Sequence, residues 1–354
     1  MHGGMEQAVY RIIDANFNRA REAARSVEEF CRFALNSDSL TRRAKQLRHE
    51  LTACIGELDA VRLISSRDTL GDVGVGQRVD NQLSRSDLSD CCTAACKRLS
   101  EALRVLEEAL RIQNPSAADT IERLRYASYT LEKDIVLQSV SFEKFKNVRL
   151  YIVISSHLPA EVITLVGKCV AGGADCIQLR AKGLEDDTLF ALATEFVKIC
   201  REAGIVSIIN DRADVAVAAG ADGVHLGQND LPVAQARRLG LAPLVIGKST
   251  HSLEELRSAC EERPTYAALG PVFKTTTKPD VPAAGLDYVR EGVRRLAHEG
   301  IGHVAIGGIT IDNVEQVLEA GASCIAVCSV VTHAVDPAEA CRALKEKISA
   351  FRGV

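Results

Sequence analysis

Long hydrophobic runs are missing from this chain: no apolar stretch approaches the roughly 20 residues that a membrane-spanning helix requires. A charge bias is missing too. Lysine and arginine number 43 against 47 acidic residues, a net charge of −4, which leaves no electrostatic footprint for nucleic acid or an anionic membrane. The opening segment MHGGMEQAVYRIIDANFNRAREAARS holds acids and no uninterrupted apolar core, so it does not read as a signal peptide. The twelve cysteines include no CxxC pair. Most lie in apolar runs such as ADCIQLR and ASCIAVCS, where a free thiol serves as a small core residue. These absences point to a reducing, cytoplasmic setting, with small molecules rather than nucleic acid or membrane as partners.

A composition of 47% hydrophobic and 25% charged residues is that of a globular protein, and 354 residues are enough for two domains. The chain changes grammar partway along. Residues 8 to about 140 read as helix, with apolar residues three and four apart in segments such as LTRRAKQLRHELTACIGELDAV. Only RDTLGDVGVGQ (67–77) is turn-like, with three glycines in six residues. This half contains a repeat. DANFNRAREAARSVEEF from Asp14 aligns with TAACKRLSEALRVLEEA from Thr93, an offset of 79, superposing Arg19 on Arg98, Glu22 on Glu101, Arg25 on Arg104, Glu28 on Glu107 and Glu29 on Glu108. LRHEL (47–51) and LRYAS (124–128) recur at nearly the same offset. Two similar helical hairpins, packed about a pseudo-twofold axis, are expected; an array would need at least three units.

From Val148 short apolar runs alternate with amphipathic helices. Strands are predicted at 148–154, 176–180, 206–210, 223–226, 244–247, 266–269, 303–308 and 324–328. Eight continuous apolar strands with crossover helices specify an α/β fold, a (β/α)₈ TIM barrel, with the N-terminal all-α domain before it. A doubly wound open sheet is the alternative. The domains read as 1–142 and 143–354, the boundary falling near the polar SFEKFKN segment.

In a barrel the active site is built from the C-terminal ends of the strands, and polar residues gather there. Strand 2 ends in Gln178, Arg180 and Lys182; strand 3 in Asn210 and Asp211. Strand 4 runs on to Asp230, and strand 5 leads to Ser249 and His251. Asp211 and Asp230 are hard oxygen ligands, and two carboxylates plus substrate phosphate oxygens suit Mg²⁺. Arg180, Lys182 and Lys278 are placed to hold a polyphosphate. Gly307-Gly308 and Cys328-Ser329 offer backbone N–H groups where barrels bind a phosphate monoester. Two phosphorylated ligands, one with a metal, are therefore expected. Each aspartate has a plainer alternative as a helix N-cap. His225, inside strand 4, reads as a hydrogen-bonded barrel residue rather than a catalyst. GPVFKTTTK is more specific, since three threonines and two lysines after a buried strand serve no packing purpose.

The series QLRAK, NDR, GVHLGQNDLP, GPVFKTTTKP and AIGGI resembles the motifs of thiamine phosphate synthases in order and spacing, over residues 148 to the C-terminus. The resemblance implies two substrates, 4-amino-2-methyl-5-hydroxymethylpyrimidine diphosphate and 4-methyl-5-hydroxyethylthiazole phosphate. It further implies that Gln178, Leu179, Arg180, Ala181, Lys182, Asn210, Ser249 and Lys278 hold the first. Thr275, Thr276, Thr277, Gly308, Cys328 and Ser329 would hold the second, and Asp211 and Asp230 the Mg²⁺. Arg180, Lys182, Ser249 and Lys278 form the implied catalytic set. They stabilise departing pyrophosphate while the thiazole nitrogen captures a pyrimidine methylene cation, with no protein nucleophile. Lys248, Thr250 and Cys328 depart from the pattern. A related thiazole tautomerase, with His251 as acid or base, and a regulatory binding protein are the alternatives.

The helical half, through RIIDANFNRAREAARSVEEFCRFAL, LRH and GDVG, resembles a domain found with thiamine synthesis enzymes and proposed to be a pyrimidine phosphate kinase. No GxxxxGK[ST] loop supports kinase chemistry. The alternative is a structural or dimerising unit with surface charge networks, and a homo-oligomer stays open. Any site here is expected near Arg19, Glu22, His49, Asp72, Arg98 and Glu101.

Overall fold

The computed structural model describes residues 2–74, 77, 84–240, 243–275 and 282–351. They form two compact units, Met1–Val136 and Leu137–Val354.

The first unit is helical: α1 (His2–Glu29), continued by a π-turn at Phe30–Ala34, α2 (Asp38–Gly56), α3 (Ala60–Ser65), α4 (Leu88–Gln113) and the start of α5 (Pro115–Phe145). Side-chain caps begin three of them. Ser37 accepts from Leu40 N, Asp59 from Val61 N and Arg62 N, and Asp87 from Asp90 N. Buried residues of α4 recur three and four apart, from Cys92, Ala95 and Leu99 to Leu103, Leu106 and Leu110, and this stripe packs along α1.

The repeat has a three-dimensional counterpart. Glu28 is buried and takes Arg48 of α2 at 2.8 Å and Arg25 at 3.3 Å. Glu107 is buried and takes Arg125 of α5 at 2.8 Å and Arg104 at 3.2 Å. Arg48 and Arg125 are the arginines of LRHEL and LRYAS. Each helix pair thus repeats the same glutamate held by the same two arginines. Arg104 and Glu108 pair at the surface, whereas Glu28 and Glu107 lie inside, and charges so placed are retained only when paired.

The last turns of α5 belong to the second unit. There eight parallel strands close a barrel: β1 (Leu150–Ile154), β2 (Cys176–Leu179), β3 (Val206–Asn210), β4 (Gly223–Leu226), β5 (Val245–Thr250), β6 (Tyr266–Leu269), β7 (Gly302–Ile306) and β8 (Ile325–Val327). Alternation sorts their side chains. Leu150, Ile152 and Ile154 face the helices in the outer core, whereas Tyr151 and Val153 face inward with Cys176, Ile208, Val245, Tyr266, Val304 and Ala326. Phe145, near the end of α5, joins this inner cluster and stacks on Tyr266, ring centroids 4.3 Å apart. Ser141 donates to Leu244 O, and Lys144 pairs with Asp222. The barrel's contacts with the chain therefore begin before residue 143.

Candidate active site

The C-terminal ends of the strands surround a cavity of about 620 Å³. Of the residues singled out from the sequence, Gln178, Arg180, Lys182, Asn210, Asp211, Asp230, Ser249, Thr275, Gly308, Cys328 and Ser329 all line it, and so does His251. Leu179 and Ala181 do not. They pack in the outer core, because strand alternation that points Gln178 and Arg180 inward must point their neighbours out. Thr276, Thr277 and Lys278 lie outside the described residues.

The rim is charged. Lys182 Nζ lies 2.9 Å from Asp211 Oδ2, and Arg180 donates to Ser155 Oγ at 2.8 Å. Asp211 has φ of 62°, which non-glycine residues seldom adopt, with its backbone N–H donating to His225 O at 2.8 Å. Its carboxylate is in side-chain contact with that of Asp230. Burial pushes the Asp230 carboxyl up; the Gly227 amide opposes this, and the shared contact and charge of Asp211 add to it. Burial acts on Asp211 too, but the Lys182 ammonium and the hydrogen bond from Asp230 outweigh it and hold the group below its ordinary value. The two carboxyls are thus shifted in opposite directions, Asp211 down and Asp230 up.

The N-cap alternative fails for both. The helix at Ala213–Ala219 starts from Arg212 and that at Val233–Leu239 from Pro232, neither with a side-chain cap. Asp230 instead accepts the backbone N–H of Gly227, closing the turn that carries it to the rim.

The floor is polar but uncharged. Gln178 Nε2 donates to the Tyr151 hydroxyl at 2.8 Å, Tyr151 and Tyr266 hydroxyls lie 2.9 Å apart, Tyr266 reaches His225 Nδ1 at 3.0 Å, and His225 Nε2 reaches Ser249 Oγ at 2.9 Å. Burial raises both phenols well above their ordinary range, so they stay protonated. His225 is a hydrogen-bonded barrel residue, as read from the sequence, but it also lines the cavity. The two tyrosines were overlooked. The available signal was an aromatic hydroxyl in each of two short apolar strands, YIVI and YAAL, which must find a partner when buried.

Two further features complete the wall. Gly308 has φ of 65°, and a Cβ there would stand 2.5 Å from Lys274 O, so only glycine fits. Asn313 holds this turn by donating to Gly308 O at 2.9 Å and accepting from Thr310 N at 2.8 Å. His251 is held by Glu255, which accepts from its backbone N–H at 2.7 Å and lies 2.8 Å from Nδ1.

Lys248 and Thr250, the departures on β5, are both buried within the strand. Lys248 lies 3.4 Å from Glu262; Thr250 donates to Ala268 O and accepts from Tyr288. Both brace β5; Lys248 stands behind the site, whereas Thr250 is among the residues lining the cavity.

Among the described residues no three His, Cys, Asp or Glu side chains converge as a metal cluster. The carboxylates offer a pair. Two half-buried hard-oxygen donors side by side suit a divalent cation completed by substrate and water oxygens.

The family described as thiamine monophosphate synthase matches residues 150–331, and the ThiD2 family matches residues 11–134. A thiamine-phosphate synthase of Nostoc sp. is 38% identical over 334 residues, 94% of this chain and 92% of its own length. One from Rhodopirellula baltica is 39% identical over 334 residues, 92% and 89% of the two chains. Among solved structures, thiamine phosphate pyrophosphorylase from Pyrococcus furiosus matches at 32% identity with a TM-score of 0.53, covering 58% of this chain and 98% of its own. The barrel, its mouth and these relatives agree: the chain belongs to the thiamine-phosphate synthase family, transferases that form thiamine monophosphate.

Proposed function

We propose that the barrel mouth joins 4-amino-2-methyl-5-hydroxymethylpyrimidine diphosphate to 4-methyl-5-hydroxyethylthiazole phosphate and releases pyrophosphate. The observation that carries this reading is the separation of charge within one cavity. Cations and the Asp211–Asp230 pair occupy the rim, where a diphosphate would sit, and neutral hydrogen-bonding groups line the floor, where a ring would sit.

Arg180 and Lys182, together with Lys278 of the GPVFKTTTK motif, would hold the diphosphate as charge develops on it. Gln178, Asn210 and Ser249 would orient the pyrimidine, placing its methylene carbon before the incoming nitrogen. The Gly308 turn and the Cys328–Ser329 end of β8, with Thr275, would receive the thiazole phosphate. Asp211 and Asp230 would hold Mg²⁺, which when bound supplies charge neutralisation at the departing pyrophosphate. His251, the residue behind the tautomerase alternative, does not account for the carboxylate pair.

For the helical unit the ThiD2 match supports a pyrimidine phosphate kinase reading. Arg19, Glu22, His49, Asp72, Arg98 and Glu101 are all exposed and available to a ligand. A cytoplasmic location is supported by twelve free thiols.

The test is an assay of the full-length protein with both phosphorylated substrates and Mg²⁺. Thiamine monophosphate and pyrophosphate should appear in equal amounts, and chelation should abolish them. Replacing the diphosphate by the monophosphate plus ATP should restore product if the helical unit is a kinase. No condensation of the diphosphate would end the barrel reading; condensation without use of the monophosphate would leave the helical unit structural.

A further inference from the structure

The internal repeat keeps more charge than its packing uses. Of the positions that coincide in the two halves, Arg25, Glu28 and Glu29 pair with one another on α1, and Arg104, Glu107 and Glu108 do so on α4. The other four, Arg19, Glu22, Arg98 and Glu101, are exposed. Among the described residues none of these four side chains makes an ion pair or a hydrogen bond. Their placement follows from the helix directions. Cys31, in the π-turn that continues α1, clusters with Cys92 and Cys96 near the start of α4, whereas Ile13 lies in the cluster that holds Leu106 and Leu110. The two helices therefore run antiparallel. With an offset of 79 residues, the axis relating them passes close to Glu22 and Glu101. A twofold axis across an antiparallel pair carries equivalent residues to the same side. The unpaired Arg–Glu couples of α1 and α4 thus share one face, turned away from the buried glutamates that hold α2 and α5. That face repeats an apolar position too: Phe33 and its counterpart Ile112 are 68% and 71% exposed.

We propose that this face of the helical unit is where two copies of the chain meet. A surface with its own twofold symmetry is matched by a twofold-symmetric partner, and a second copy supplies the same residues in reverse order. On each helix the charges alternate at helical spacing, Arg19 then Glu22 and Arg98 then Glu101. Turned over about an axis lying in the face, such a row sets arginine against glutamate. The face is therefore complementary to itself. A phosphorylated ligand fits it less well, because a glutamate stands beside each arginine and would repel the phosphate. Phe33 and Ile112 add apolar area that a lone unit leaves in water. The charges give the contact its register and the apolar residues strengthen it.

Sedimentation of the full-length protein tests it, and should give twice the mass of one chain. Two double variants then make the face all one sign. Glu22→Lys with Glu101→Lys leaves cations there, and Arg19→Glu with Arg98→Glu leaves anions. Each variant alone should keep its helical circular dichroism yet dissociate about a hundredfold more readily, because like charges now oppose each other. Mixed in equal amounts, the two should recover the doubled mass, since cations then meet anions. Phe33→Ser with Ile112→Ser reaches the same contact without touching its charges. It should also weaken the assembly, and it serves if a charge variant does not fold. A wild type with the mass of one chain would overturn the proposal. So would a doubled mass retained by both charge variants, or no recovery on mixing. Variants that keep the wild-type mass but lose the use of pyrimidine monophosphate with ATP would assign the four residues to a ligand instead.

Discussion

The two units bury polar groups in opposite ways. In the helical unit the buried polar groups at the repeat are full charges, Glu28 and Glu107, each clamped by arginines from two helices. In the barrel the floor of the cavity carries a file of amide, phenol, imidazole and hydroxyl, and the cations and carboxylates of the site stay at the mouth. A buried ion pair has a large desolvation cost that strict geometry must offset, so it specifies one packing. Neutral hydrogen bonds cost less to bury and leave the charged rim available to a ligand. The first arrangement serves a helix pair that must meet in one register, the second a cavity that must recognise a ring.

The sharpest way to separate them is to remove a charge from each. Asp211→Ala or Asp230→Ala should lower turnover by about a hundredfold or more, the loss of several kcal/mol of charge stabilisation, and leave the unfolding of the helical unit unmoved. Steady-state kinetics at limiting Mg²⁺ together with a thermal melt decide it, and wild-type turnover would reduce both residues to turn-formers. Glu107→Ala should do the reverse. It strands the buried Arg125 guanidinium and should cost the helical unit about 3–5 kcal/mol by chemical denaturation while condensation by folded protein persists. Glu28→Ala should cost less, because its partner Arg48 is 19% exposed where Arg125 is 9%, and water can replace the lost contact. Equal losses would mean that the repeat is symmetric in energy as well as in form.

The smallest effect is a pH dependence. Burial raises the Glu107 carboxyl, but hydrogen bonds from Arg111 and Arg125 prevail and hold it below its ordinary value of 4.5. A depressed folded value contributes stability that is present above the unfolded value and lost as pH falls through the folded one. The helical unit should therefore weaken in acid below about pH 4.5, and Glu107→Gln should flatten that limb of the stability curve. An unchanged slope in the variant would place the acid sensitivity elsewhere.

Most of the site could be read in one dimension because barrel topology sends every strand end to the same mouth. Asp211 and Asp230, nineteen residues apart in the chain, meet for that reason. The limits are as instructive. KST was read as lying largely beyond strand 5, yet the strand runs to Thr250, since Lys248 and Thr250 find partners in Glu262 and Tyr288 that no local pattern announces. Leu179 and Ala181 were placed in the site by motif, whereas strand parity turns them outward.

The order of apolar runs, the strand-end residues and the internal repeat are properties of the chain itself. They determined a duplicated helical unit followed in the chain by an eight-stranded barrel, and the side chains at the barrel's mouth. What the tertiary structure alone decided is which polar atoms meet inside. Tyr151 and Tyr266 touch across 115 residues because closure of the sheet sets their register. Glu107 is buried, not exposed, because α5 lays Arg125 over it. Period and composition specify which face a side chain occupies; only packing specifies its partner.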